Sequence, residues 1–108
     1  SELSIYQNYY TMQIKGKITK VLPVRTGMTK KGGTWAAQQF VLTTDVEPKV
    51  SILLEVFGQK EIGNYALTEG QTVTVTYSPY VNESGDKVFG KNNVSAVEHT
   101  DNPMETES

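Results

Sequence analysis

Basic side chains and a single tryptophan share one segment of this chain. Between residues 12 and 35 every charged side chain is positive, whereas residues 98–108 carry only acidic ones. The two segments offset each other in a formal net charge of −2, so the sum conceals a surface able to attract a polyanion. Lysine and arginine at such a surface neutralise phosphates. The basic residues of the segment are Lys15, Lys17, Lys20, Arg25, Lys30 and Lys31.

Trp35 follows a glycine-rich basic stretch, residues 25–33 (RTGMTKKGG), which we predict to be a mobile loop between the first two strands. If Phe40 and Leu42 face the core, strand alternation places Trp35 on the outer face. An exposed indole beside lysines is suited to stacking on a nucleobase. A cap on the rim of the fold or a contact between subunits explains Trp35 equally well.

The residues needed for catalysis are missing from the sequence. His99 is the single histidine and there are no cysteines, which leaves a Ser-His-Asp triad or a zinc site without its members. The stretch 25–33 is not followed by the helix that a phosphate-binding P-loop requires. The carboxylates are scattered. We therefore predict a binding module that is not an enzyme and has no cofactor and no metal.

Five alternating segments must position the candidate side chains. We predict strands at residues 13–24, 34–44, 50–57, 71–80 and 88–98, with a bend near Val21 in the first. Gly16 is the predicted kink of that strand. The side chains predicted to face the core are Ile14, Ile18, Phe40, Leu42, Ile52, Leu54, Val56, Val73, Val75 and Tyr77.

The stretch 50–75 indicates how these strands are joined. An apolar strand stops at Gly58, a short helical segment follows, and the Glu69-Gly70 turn leads into an alternating Thr–Val strand. We therefore predict an all-β fold, a five-stranded Greek-key OB-fold barrel with one short helix between strands 3 and 4. In that fold the 25–33 loop and a hairpin loop at 82–87 (NESGDK) border the ligand groove.

The 108 residues suffice for one domain. We predict an N-terminal extension at residues 1–11, the OB-fold domain at 12–98 and a disordered acidic tail at 99–108. Tyr6, Tyr9 and Tyr10 of the extension pack on the barrel or a neighbouring subunit, or help to stack a ligand. With no signal peptide or membrane-length apolar run in view, we expect a cytoplasmic protein, in the host cytoplasm if a phage encodes it.

Two stretches carry a family resemblance. EVFGQKEIGNYALTEGQTVTV resembles the equivalent part of bacterial single-stranded DNA-binding proteins, where a strand ending in Phe-Gly leads to a short helix and then to L-x-x-G. MQIKGKITKVLP, followed by the basic loop, Trp35 and QQFVLTT, resembles a smaller family of bacterial and phage OB proteins. Together they cover about residues 12–98. The bacterial proteins end in an acidic tip whose last residues are apolar and recruit partner proteins. The last residues here, METES, lack that apolar end, so the resemblance does not imply partner recruitment through the tail.

The resemblance implies sequence-tolerant binding of single-stranded DNA in a groove across predicted strands 2 and 3, in replication, recombination or repair. Aromatic residues stack bases there and basic residues contact phosphates. The candidate stacking residues are Trp35, Phe57, Tyr80 and Phe89. The candidate phosphate contacts are Lys15, Lys17, Arg25, Lys30, Lys31, Lys87 and Lys91.

Several features of this interpretation stay open. Glu55 lies on the same predicted face and would repel phosphate, which argues against phosphate contacts over the whole face. Aromatic stacking does not separate RNA from DNA, so an RNA-binding OB module is an alternative. A protein-interaction or assembly domain is another, in which Trp35 and a strand edge bury against a second chain. A homo-oligomer and partner proteins of replication or recombination are compatible with each of these functions.

Overall fold

The computed structural model describes residues 11–100, which form six strands and one helix. The predictions for residues 1–10 and 101–108 lie outside the described residues; they concern the three N-terminal tyrosines and most of the acidic tail. The elements are β1 (Met12–Val21), β2 (Arg25–Met28), β3 (Thr34–Thr44), β4 (Ser51–Phe57), α1 (Gln59–Tyr65), β5 (Thr72–Ser84) and β6 (Lys87–His99).

The strand pairings close into a ring. The order β1-β5-β6-β4-β3 is completed by an additional pairing of β1 with β3, and β2 lies on the far side of β3. The pairings are antiparallel except that of β4 with β6, in which Glu55 stands opposite Asn93. Each strand of the ring therefore has one face toward a shared interior and one face outside it.

The interior is apolar, and its side chains come from alternate positions of the strands, as predicted. Phe40 and Leu42 of β3 and Leu54 of β4 have no exposed surface, which confirms the predicted core faces of these two strands. Each such side chain contributes about 1.5–3 kcal/mol by its burial. The buried core consists of Ile18, Phe40, Leu42, Leu54, Val56, Val73, Val75, Tyr77 and Val94.

β1 bends at the point where it serves two neighbours. Gly16 stands opposite Thr44 of β3 and also opposite Val73 of β5. A Cβ on Gly16 would collide with the carbonyl group of Thr43, so this close approach requires glycine. The register of β1 against β3 shifts between Ile18 and Lys20, which places the bulge earlier than the predicted bend near Val21.

The structure has one strand more than predicted, which also changes the numbers of the two strands that flank the helix. Residues 25–28 form β2 and pair with Thr34–Ala37 of β3, where a mobile loop was expected. The extra strand makes six instead of five, so α1 lies between β4 and β5 in chain order. The stretch Thr29–Gly33 is the tip of a β2–β3 hairpin, closed by a 2.7 Å bond from the Thr29 N–H to the Gly33 carbonyl.

β5 and β6 also extend further than predicted. They stay paired through Ser84 and Lys87, so the expected 82–87 loop reduces to a two-residue turn of Gly85 and Asp86. Gly85 has a φ of 62°, a conformation that glycine adopts without strain. Pro79 remains in the ladder because, among the described residues, β5 beyond Tyr77 is paired on one side alone.

β6 ends one residue later than predicted. His99, expected to begin the disordered tail, is the last residue of the strand, and its Nε2 lies 3.0 Å from the carbonyl oxygen of Tyr65 at the end of α1. The Thr100 N–H donates to the Thr72 carbonyl at 3.0 Å. These contacts attach the end of the described chain to the first residue of β5 and to the helix.

Candidate nucleic-acid interface

The outer face of β2, β3 and β4 brings together residues that are distant in sequence. Arg25 stands opposite Ala37, and Ala37 stands opposite Phe57, so the three form one row across the strands. Gly27 and Trp35 form the next row toward the hairpin tip. Directly opposite residues of antiparallel strands project to the same side of a sheet. Aromatic and basic side chains therefore share one outer face.

Trp35 and Phe57 make the aromatic part of this face. Their ring centroids are 6.3 Å apart and their planes differ by 15°. Phe57 is 56% exposed, whereas Trp35 is partly buried, which corrects the prediction of a fully exposed indole. Trp35 is covered on one side because its ring lies across the backbone of Gly27, where a Cβ would be 2.5 Å from indole carbons.

Glu55 lies beside this pair and connects two basic residues. Its side chain is 7% exposed, and its Oε1 accepts a 3.1 Å bond from Nη2 of Arg25. Nζ of Lys91 lies 3.3 Å from its Oε2. The carboxylate is therefore neutralised by two basic side chains on β2 and β6, which modifies the expectation that it simply repels phosphate.

These residues surround an open depression of about 310 Å³ on the outer face. Ala37, 1% exposed, lies at its base, since a small side chain between larger ones leaves space above it. The aromatic pair and the ion-paired residues form its sides. We call this depression the groove; the residues that line it are Arg25, Trp35, Ala37, Glu55, Phe57 and Lys91.

A two-stranded ribbon continues from the groove. It consists of residues 79–84 of β5 and 87–92 of β6. Tyr80 of β5 stands opposite Lys91 of β6. Phe89 and Lys87 are two and four residues before Lys91, and they stand opposite Asn82 and Ser84. One face of the ribbon therefore carries the candidates Tyr80, Phe89, Lys87 and Lys91. Tyr80 is 46% exposed and Phe89 40%, so both rings are accessible from solvent.

The lysines of the hairpin tip and of β1 lie at different distances from the groove. Lys30 and Lys31 are exposed at the β2–β3 tip, beyond the row of Gly27 and Trp35. Lys15 and Lys17 lie on β1, and Lys17 stands opposite Thr43, six residues along β3 from Ala37. That separation is about 20 Å in an extended strand. The fold thus does not bring Lys15 and Lys17 to the groove.

Three residues of the site were not predicted in the roles they have. Glu55 was known only as a charge on the face, and Gly27 and Ala37 were not singled out. Strand alternation places Ala37 on the same face of β3 as Trp35, but it does not show that this alanine lies at the base of a groove. The support that Gly27 gives to the indole depends on the pairing of β2 with β3, which the sequence did not indicate.

No protein-family model and no curated protein sequence matches this chain. Solved structures match it in fold. The second OB-fold domain of replication protein A from Methanococcus maripaludis matches with a TM-score of 0.59 and 14% identity, over 85% of each chain. The mitochondrial single-stranded DNA-binding protein Rim1 of S. cerevisiae matches with a TM-score of 0.61 and 11% identity, over 82% of this chain and 92% of that one. These likenesses confirm the OB-fold.

Two negative findings apply to residues 11–100. Within this range, no group of three or more His, Cys, Asp or Glu side chains is placed to hold a metal ion. No helix in the same range is both long and apolar enough to cross a membrane.

Proposed function

We propose that this protein binds single-stranded DNA with little sequence preference, through the groove and the adjoining face of the ribbon. The observation that carries the proposal is the near-parallel Trp35–Phe57 pair, which lies on one open face with Arg25 and Lys91. Aromatic rings and cations at the same surface match the two repeating parts of a nucleic-acid strand, its bases and its phosphates. The likeness in fold to Rim1, a single-stranded DNA-binding protein, and to an OB-fold domain of replication protein A supports the same function.

Unpaired bases are what the aromatic side chains would recognise. A base in a single strand exposes its flat faces, and a stacked base contributes about 1–3 kcal/mol whatever its identity. Trp35 and Phe57 would hold bases at the groove, and Tyr80 and Phe89 would hold further bases along the ribbon. The bound strand would therefore follow a path from the hairpin tip, across β3 and β4, to the ribbon.

Phosphate contacts would come from the edges of this path. Lys30 and Lys31 stand at one end of it and Lys87 at the other, all exposed to solvent. Each neutralised phosphate releases counterions, which makes the affinity fall with rising salt by a slope of about 0.7 per contact for a single strand. Salt dependence therefore reports on the basic residues, and the affinity that persists at high salt reports on stacking.

The biological process is part of the proposal. Protecting single-stranded DNA in replication, recombination or repair is the role that sequence-tolerant binding serves best. The same proposal includes three further points. The protein acts as a homo-oligomer, it comes from a bacterium or a phage, and it contacts replication or recombination proteins. A competition between DNA and RNA oligonucleotides of matched sequence tests which nucleic acid is preferred.

Fluorescence of Trp35 tests the proposal directly, because it is the only tryptophan in the chain. Titration with oligo(dT) at low salt should quench the indole emission, and the apparent affinity should fall as salt rises. A parallel titration with a labelled oligonucleotide, read by anisotropy, detects binding that leaves Trp35 untouched. Absence of binding in both experiments would overturn the proposal.

A protein-interaction module is the second candidate, favoured by one observation. Val81 and Val88 are 64% and 67% exposed on the ribbon face opposite Tyr80. Exposed apolar side chains on a paired ribbon are suited to contact with another chain. A solution mass above that of the monomer, together with no affinity for oligonucleotides, would favour this candidate over DNA binding.

A further inference from the structure

A buried carboxylate is an unexpected component of a surface that binds a polyanion. Glu55 is 6% exposed overall, and it lies on the outer face of β4, in line with Gln39 of β3 and Asn93 of β6. Its outward position means that it is not a core residue facing the ring interior. Burying a carboxylate costs hydration free energy, and the ion pairs with Arg25 and Lys91 offset that cost.

The two basic residues are in turn occupied by the carboxylate. Nη2 of Arg25 and Nζ of Lys91 are both directed at Glu55, with distances of 3.1 and 3.3 Å. The three side chains together carry one net positive charge, where Arg25 and Lys91 alone would carry two. The groove therefore attracts phosphate less strongly than its basic residues would without Glu55.

The accessible parts of the groove divide accordingly. Phe57 is 56% exposed and the Arg25 side chain 52%, whereas the Lys91 side chain is 28% exposed and the Glu55 side chain 7%. A ligand meets the aromatic surface without displacing an ion pair. A phosphate that approached Lys91 closely would have to compete with the carboxylate that already holds it. Bases are favoured at this position over phosphates.

We infer that Glu55 is a specificity-determining residue, which limits phosphate binding in the groove so that tight binding requires stacked bases. This inference rests on the proposed function. Duplex DNA presents its phosphates outward and keeps its bases stacked inside, so it offers this groove only the part that Glu55 disfavours. A single strand offers both parts. The preference for single strands would thus arise because Glu55 weakens the binding of duplex DNA.

The decisive variant is Glu55→Gln, which keeps the size of the side chain and removes its charge. Arg25 and Lys91 then become available to phosphates. Low-salt affinity for duplex DNA should rise about tenfold and that for oligo(dT) by a smaller factor, because duplex DNA has only the added phosphate contacts to use in the groove. The slope of log affinity against log salt for oligo(dT) should steepen by about 0.7–1.4, the value of one or two added contacts. Glu55→Asp, which keeps the charge, should stay close to the wild-type preference for single strands.

Two further variants separate this role from other effects. Glu83→Gln removes one negative charge from an exposed site on the opposite face of the ribbon, and it should leave the preference for single strands unchanged. Lys91→Gln leaves Glu55 with one cation and should lower duplex affinity more than oligo(dT) affinity. Lys91→Gln also provides the test if Glu55→Gln lowers the melting temperature enough to impair folding.

The results that overturn the inference differ from those that overturn DNA binding itself. If folded Glu55→Gln binds both ligands as the wild type does, or more weakly, Glu55 does not limit phosphate binding. Equal losses for both ligands in Lys91→Gln would lead to the same conclusion. If the wild-type protein binds no single-stranded DNA at all, the proposed function fails before the variants are compared.

Discussion

Trp35 lies across the backbone of Gly27, the residue that stands opposite it on β2. A Cβ at Gly27 would be 2.5 Å from Cε2 and Cζ2 of the indole, much closer than carbon atoms approach without overlap. The indole therefore packs against the backbone of β2 at Gly27, where no side chain intervenes. The ring also lies near-parallel to Phe57, 6.3 Å away between centroids. The orientation of the aromatic pair thus depends on a glycine that does not itself line the groove.

Gly27→Ala should displace the indole and weaken binding of oligo(dT). The added methyl group takes the space of the ring, and losing one stacked base reduces affinity by about 5- to 150-fold. Titration by anisotropy measures the affinity, and the emission maximum of Trp35 reports the displacement. Gly90→Ala is the matched control, since its Cβ would meet only the Tyr80 carbonyl at 3.8 Å. Wild-type affinity in Gly27→Ala would show that the support is dispensable.

The sequence was sufficient to predict features that depend on local alternation. Phe40 and Leu42 were placed inside and Trp35 outside, because side chains two residues apart share a face of a strand. β2 was not predicted, since RTGM lacks a clear apolar alternation and lies among lysines and glycines. Its pairing with β3 depends on tertiary structure.

The organisation of the candidate site was less accessible from sequence. The partners of Glu55 are 30 and 36 residues away along the chain, and no local pattern joins them. The charge of Glu55 was visible in the sequence, but its neutralisation depends on strand pairing. The extension of the ribbon beyond Tyr80 was also missed, because Pro79 suggested that the strand ends there, although proline is tolerated in a strand that is paired on one side.

Phe57→Ala should weaken oligo(dT) binding without unfolding the protein. Phe57 is 56% exposed, so its removal costs little core packing, while stacking on a base is worth about 1–3 kcal/mol. Equilibrium titration at high salt, where phosphate contacts contribute least, should show the loss most clearly. Val50→Ala, at a residue 51% exposed before β4, provides a control for removing apolar surface outside the groove. An unchanged affinity would exclude Phe57 from the stacking surface.

The packing of the core leads to a prediction about stability that does not depend on DNA binding. Leu54→Ala should destabilise the protein by about 2–5 kcal/mol, because it leaves a cavity among fully buried neighbours. Leu53→Ala is the matched control on the adjacent position of β4, where the side chain is 46% exposed and faces outward; its cost should be below about 1 kcal/mol. Urea unfolding followed by circular dichroism measures both. Equal losses would contradict the assignment of the two faces of β4.

The lysines of β1 and of the hairpin tip should contribute unequally to DNA binding. Lys30→Gln combined with Lys31→Gln should flatten the salt dependence of oligo(dT) binding by up to about 1.4, since two contacts are removed beside the groove. Lys15→Gln with Lys17→Gln makes the same charge change on β1, where Lys17 stands opposite Thr43, about 20 Å along β3 from Ala37 at the base of the groove. That pair should leave the slope unchanged for an oligonucleotide that spans only the groove and the ribbon. Equal flattening by both pairs would mean that the bound DNA continues around the ring to β1, and it would support the predicted phosphate contacts of Lys15 and Lys17.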